Sequence, residues 1–293
     1  MDSRWFTPVV IVLWVATMAW LTIEKVVPQL SRGEPPNYHA ILANSDESVP
    51  NSWVLYLNDR EIGDSETRLK KDADGMTKIH NRLTFNQFPI QQILPDAIKK
   101  ILPAEFAGFP PTGATIRSVF EINDQDHLKR LEARVRWGDI PNFIYLSGEV
   151  KEGELRVFAV AMGNIELPTS RFPLASETIL SESLVPQSRL PDLRLGQAWT
   201  LPVFSPLQPT MPIEYMRAEV AREEPISWSG KAWRSRVIEY TRQGGAGGPQ
   251  DLQGQVWVRE DGLVLKQESR LLNAKLTFIR RASVEKRDDG TDE

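Results

Sequence analysis

The stretch "WVREDGLVLKQESRLL", residues 257–272, gathers Glu260, Asp261 and Glu268 within one short span. Carboxyls so close could divide acid and base roles at a reacting bond, provided they converge on one cleft with their pKa values driven apart. The same span contains Asp261-Gly262, a dipeptide that bends a chain between two strands. Alternation on either side of that bend leaves the acids facing solvent, so a hairpin is expected here and not a catalytic cluster. Glu223-Glu224 fares the same way, because sequence neighbours on a strand point to opposite faces. "DADG", residues 72–75, has the opening of a calcium loop, but the position that should supply a bidentate Glu is Leu83. A hairpin turn is the expectation, with a weak cation site as the alternative. "GGAGGPQ", residues 244–250, lacks the Lys-Ser/Thr of a phosphate cradle and reads as a flexible loop. His39, His80 and His127 fall in no metal-ligand spacing, and the chain has no cysteine to serve as thiolate or nucleophile. No GxSxG elbow occurs. The expected set of catalytic, cofactor-binding and metal-binding residues is therefore none.

Aromatic residues offer binding chemistry instead. Trp53, Trp137, Trp199, Trp233 and Trp257 all fall in segments with strand alternation. Such rings pack a core or rim, or they line an apolar groove where a lipid chain or an extended peptide lies. Trp53, Trp137 and Trp257 are the candidate lining residues. Trp5 and Trp20 have a different setting, flanking an uncharged run over residues 5–23. At about 1.5 Å per residue that run approaches the hydrocarbon thickness of a bilayer, and terminal Trp suits the interfacial belts. Thr17-Met18-Ala19 is a poor cleavage site, so an uncleaved anchor is expected over a signal peptide or a buried core helix. The short N-terminal tail stays in the cytoplasm on this reading. The protein is then a single-pass inner-membrane protein with its bulk extracytoplasmic, and the lipid bilayer is its first partner.

The elements that would position these residues are mainly strands. Hydrophobic residues at 41% and charged residues at 25% suit a globular chain, and 293 residues suffice for a sizeable core. A net charge of −4, spread along the chain, gives no footprint for nucleic acid. Residues 1–25 are expected to be the transmembrane anchor and 26–51 a Pro-rich spacer. Residues 52–283 form an antiparallel β-domain, with a possible subdivision near 165–195, and 284–293 a charged tail. The fold class is mainly β: a curved sheet or open barrel with one short amphipathic helix over "FPIQQILPDAIKKILPAEF". Two similar sheet lobes are the fallback. The segment 165–195 reads as a long connection that could carry a short helix at "ASETILSESL".

Two phrases suggest a repeat. Trp53-Val54 is followed by "ETRL" and "RLTF", and Trp257-Val258 by "ESRL" and "KLTF". A duplicated three-strand meander and a chance reuse of strand vocabulary both account for this.

The hairpins "SWVLYLNDREIGDSETRL" and "GQVWVREDGLVLKQESRLL" resemble those of uncharacterised bacterial envelope domains, some of which precede transglutaminase-like modules. An anchor followed by long antiparallel strands with one early helix also looks like the lipoprotein-carrier group (LolA/LolB-like folds). That resemblance implies a curved, incompletely closed sheet holding acyl chains, though this chain lacks a lipobox Cys and offers one clear helix for a lid. The resulting expectation is a non-catalytic binding protein for an apolar or lipid-like ligand or a partner chain. An envelope scaffold is the alternative, and a hydrolase of envelope polymers a distant third.

Overall fold

The computed structural model describes residues 6–21, 36, 38–43, 50–88, 112–162, 164–175, 178–242, 251–271 and 274–282. Strand alternation governs most of them. Among the described residues there are fifteen strands: β1 (Asn51–Leu57), β2 (Arg60–Lys71), β3 (Thr77–Phe88), β4 (Thr112–Ile122), β5 (Leu128–Trp137), β6 (Ile140–Lys151), β7 (Glu154–Ala161) and β8 (Ile165–Pro173), then the two-residue β9 (Ser181–Glu182). The series ends with β10 (Ala198–Phe204), β11 (Ile213–Trp228), β12 (Lys231–Arg242), β13 (Leu252–Arg259), β14 (Val264–Leu271) and β15 (Ala274–Arg280). Two helices are described, α1 (Phe6–Leu21) and α2 (Tyr38–Ala43). In β5, Leu131, Ala133, Val135 and Trp137 are buried while the residues between them face outward, as a period of two requires.

All the strands join one sheet, ordered β8-β7-β6-β5-β4-β3-β2-β1-β15-β14-β13-β12-β11-β10-β9. The last strand pairs with the first, from Trp53 opposite Arg280 to Leu57 opposite Leu276. This seam fixes one continuous sheet in place of two lobes. A sheet this wide twists and must curl to bury its apolar face. Phe120 of β4 accordingly meets Phe204 of β10 edge-on, with ring centroids 6.3 Å apart, although eight strands lie between β4 and β10 in the order. The Tyr215 hydroxyl of β11 donates to the Pro173 carbonyl at the end of β8, so the two flanks of the roll approach each other.

What fills the roll is the segment comprising residues 174–175 and 178–197. Leu174, Ile179, Leu180, Leu184, Leu190 and Leu193 are all buried in the common core. This strap is fastened by Ser183 N–H to Phe204 C=O at 2.8 Å and by Leu190 N–H to Gly262 C=O at 2.8 Å. The helix expected at "ASETILSESL" does not form among the described residues. Ser181 and Glu182 instead pair in parallel with Val203 and Phe204, which satisfies backbone groups a buried loop would leave unpaired. The start of the expected connection is also a strand. β8 pairs with β7 and tolerates Pro168 because it lies at the sheet's edge, where one side of the strand needs no donor.

Within 26–51 the spacer reading needs correction at α2. Tyr38 is 3% exposed, and its hydroxyl donates to Leu180 C=O at 3.4 Å while accepting Leu180 N–H at 3.1 Å. A helix so docked belongs to the core. The amphipathic helix expected after Phe88, the "GGAGGPQ" loop and the tail 284–293 lie outside the described residues. The α1 helix spans 16 residues, and among the described residues no helix is long and apolar enough to cross a membrane. Its Leu13, Trp14 and Trp20 are each more than 60% exposed.

The two similar meanders are both present, as β1-β2-β3 and β13-β14-β15. Their registers differ: Glu66 stands opposite Arg82, but Glu268 stands opposite Thr277, two residues beyond the matching Lys275. A slip of two keeps every side chain on its face, so Leu83 and Phe85 in one meander and Leu276 and Phe278 in the other are all buried.

Candidate functional site

The Asp261-Gly262 stretch is the bend between β13 and β14. Gly262 adopts φ +82°, and Asp261 holds Arg259 through two contacts of 2.8 and 2.6 Å. That hydrogen-bonded pairing pulls the Asp261 carboxyl down to about 2, against partial burial. The "DADG" stretch is also a turn. Gly75 has φ +83°, Asp72 pairs with Lys78 at 2.8 Å, and Asp74 accepts the Met76 N–H. Among the described residues no group of three His, Asp or Glu could hold a metal ion.

The three candidate tryptophans are scattered. Trp53 is fully buried at the seam, with the Arg280 guanidinium 5.1 Å from its ring centroid. Trp137 packs against Phe143 at the end of β5. Trp257 stands on the opposite side of β13 from Val256 and Val258, its indole N–H donating to Glu224 at 2.5 Å under Lys266, 4.2 Å from the ring. None of them is on the described lining of the two cavities beneath the segment around Glu182. Trp20 is exposed on α1, and Trp5 lies outside the described residues.

The structure instead draws attention to Glu182, which sequence reasoning passed over. Strand β9 carries it into the roll, and it is 6% exposed. Asn81 of β3 donates its side-chain N–H to Glu182 Oε2 at 3.0 Å, and the Ser118 hydroxyl of β4 donates to the same oxygen. One carboxyl thereby links a strap that pairs with β10 to strands of the opposite flank. Burial raises its pKa to about 7, and the two neutral donors oppose that rise without cancelling it. Glu182 Oε1, Asn81 Oδ1 and Thr67 Oγ1 are buried with no hydrogen-bond partner. Thr67 and Asn81 are cross-strand neighbours, and Ser118 is next in the same row, so strand register alone sets three polar groups side by side under the strap.

Two cavities meet at this carboxyl. The first, about 80 Å³, lies between α2, β2, β3 and the strap; the second, about 70 Å³, lies between the strap and β12 to β14. Glu182 lines both. Binding pockets for drug-sized ligands are typically several hundred Å³, so each of these suits a few heavy atoms and not an acyl chain. A carboxyl near neutrality could exchange a proton, but Ser118 beside it is 1% exposed, and Glu268, the other carboxyl on the described lining of its two cavities, is paired with Lys266 at 2.7 Å. The sequence did hold a weak signal: in "ILSESLV" a lone acid sits among residues that otherwise read as core.

No family model matches the chain, and no curated protein matches it. Among solved structures it is similar to the crystal structure of a β-barrel-like protein of domain of unknown function DUF1849 from Brucella abortus. The identity is 9% and the TM-score 0.46, covering 80% of this chain and 96% of that one.

Proposed function

We propose that this protein is a membrane-tethered, extracytoplasmic, non-catalytic binding protein that takes a small ligand into its rolled sheet beneath the strap. The tether is the uncharged run 5–23: the part described as α1 shows large apolar side chains to its surroundings over most of its length, which calls for lipid or a partner. The same segment is the basis on which inner-membrane placement is proposed. The observation that carries the binding reading is the pair of cavities meeting at Glu182, with three buried oxygens that lack partners. Natural cores leave few such groups unsatisfied, because each one costs roughly 1–3 kcal/mol. The lipid-carrier version of the expectation has less support, since the strap and α2 occupy the concavity an acyl chain would need. A scaffold role through the outer strand β8 is the second reading. That strand has one unpaired side and shows Ile165 at 49% exposure, but Pro168 and Pro173 weaken it as a template for strand addition.

Native mass spectrometry of the full chain extracted from its own membrane tests the proposal. A stoichiometric adduct of a small molecule, released on unfolding, is the expected result. Bare protein mass together with a stoichiometric protein partner would transfer the function to the scaffold reading.

A further inference from the structure

From the donor and acceptor balance of the first cavity, we infer that it is a site for a small primary aliphatic amine, bound ammonium-first against Glu182. This deepens the binding role proposed above and rests on it. Among the side chains that line it, the buried polar atoms left without a partner are acceptors or can act as acceptors: Glu182 Oε1 and Asn81 Oδ1 accept only, and Thr67 Oγ1 can do either. The arrangement of Asn81 supports that assignment, because its N–H₂ already donates to Glu182 at 3.0 Å, which leaves its carbonyl oxygen unsatisfied. Three oxygens wanting donors match the three N–H groups of an ammonium; a hydroxyl would serve only one of them.

Charge points the same way. The partners of Glu182 are neutral, and the described lining of the first cavity contains no Lys, Arg or His. A buried carboxylate with no countercharge is costly, and it is relieved either by a proton or by a cation. An anionic ligand would add to the cost. The remaining lining is aliphatic, with Ile41, Leu69, Ile79 and Val185, and accepts an alkyl stem. A volume of about 80 Å³ has room for roughly half a dozen water molecules, which limits the stem to a few carbons.

The test is isothermal titration of the full chain in detergent at pH 8 with n-butylammonium chloride, butan-1-ol and sodium butyrate. Glu182→Gln and Ile79→Phe accompany the wild-type protein; the first removes the charge but keeps one acceptor oxygen, and the second fills the cavity without touching the charge. The expected result is 1:1 binding of butylammonium, at least ten-fold weaker binding of butan-1-ol, and none of butyrate. Both variants should abolish amine binding, and if Glu182→Gln does not fold the Ile79→Phe arm stands alone. Equal binding of butan-1-ol and butylammonium, or amine binding that survives Glu182→Gln, overturns the amine assignment and leaves a binding cavity of another class. Absence of butylammonium binding to wild-type protein overturns it as well; whether the protein then binds any small ligand is decided separately by the native mass measurement.

Discussion

Residue by residue, the chain spends its acids in two ways. Several sit on outward strand positions beside a cation, such as Glu223 between Arg234 at 2.6 Å and Arg236 at 3.2 Å. Exposed pairs of this kind are screened by water and add little to stability. Glu182 differs because its folded pKa, about 7, lies above the ordinary 4.5. Its proton is therefore held more tightly in the folded state. The stability this contributes is complete below pH 4.5 and is lost as pH rises through about 7. Once the group is ionised the loss is on the order of 3 kcal/mol. The charged or titratable groups around its two cavities are Tyr38 on one side and Tyr240, Glu268 and Arg270 on the other. Burial raises both tyrosines, and Glu268 is paired with Lys266 at 2.7 Å. Ligand-free Glu182→Gln is thus expected to match the wild type near pH 4.5 and to exceed it increasingly up to pH 8 in urea unfolding. A constant difference across that range would show that Glu182 is ionised in the fold without penalty.

Among the elements, the strap depends on the β13–β14 hairpin. At Gly262 the backbone is left-handed, and an added Cβ would stand 2.9 Å from Pro191 Cα and 3.1 Å from the Leu190 carbonyl oxygen. Arg280 completes the clasp, donating to Ser188 C=O at 3.1 Å and Val264 C=O at 3.2 Å, with Asn51 as a further acceptor. Burial, more than the neighbouring Arg189 and Arg259, draws its pKa down to about 10. Gly262→Ala combines backbone strain with a backbone clash and is expected to cost about 1–3 kcal/mol, measured by thermal or urea unfolding. Gly153→Ala at the β6–β7 turn, with φ +77° and open space around its Cβ, should cost less. Equal losses at the two sites would mean that the strap is not seated on Gly262. The hairpins were legible in the sequence because turn chemistry is local: Asp-Gly and alternating apolar residues specify β13, β14 and their bend. The strap was not, because its Ser181-Glu182 strand exists only against β10, and nothing local distinguishes that from a helix or a loop. The same limit explains the tryptophans. Trp257 alternates with Val256 and Val258 as expected, but which face meets the interior is set by the curl of the whole sheet.

At the scale of the molecule, the roll, the strap and the buried carboxyl depend on one another. Glu182 is withdrawn from water only if the β3–β4 flank and the β10 flank both close over the strap, and the cavities exist only inside that closure. The mainly β class could be read from alternation, but the pairing of β15 with β1 could not. That pairing joins residues some two hundred positions apart, and no local pattern encodes it. Hydrogen exchange followed by mass spectrometry on the full chain tests this closure most directly. Backbone N–H groups of Ser183, Leu190 and Val264 are bonded between strap and sheet, so peptides covering 178–193 are expected to exchange as slowly as those of β3 and β4. Strap peptides that exchange within seconds while the sheet stays protected would contradict a sealed interior, and with it a buried site at Glu182.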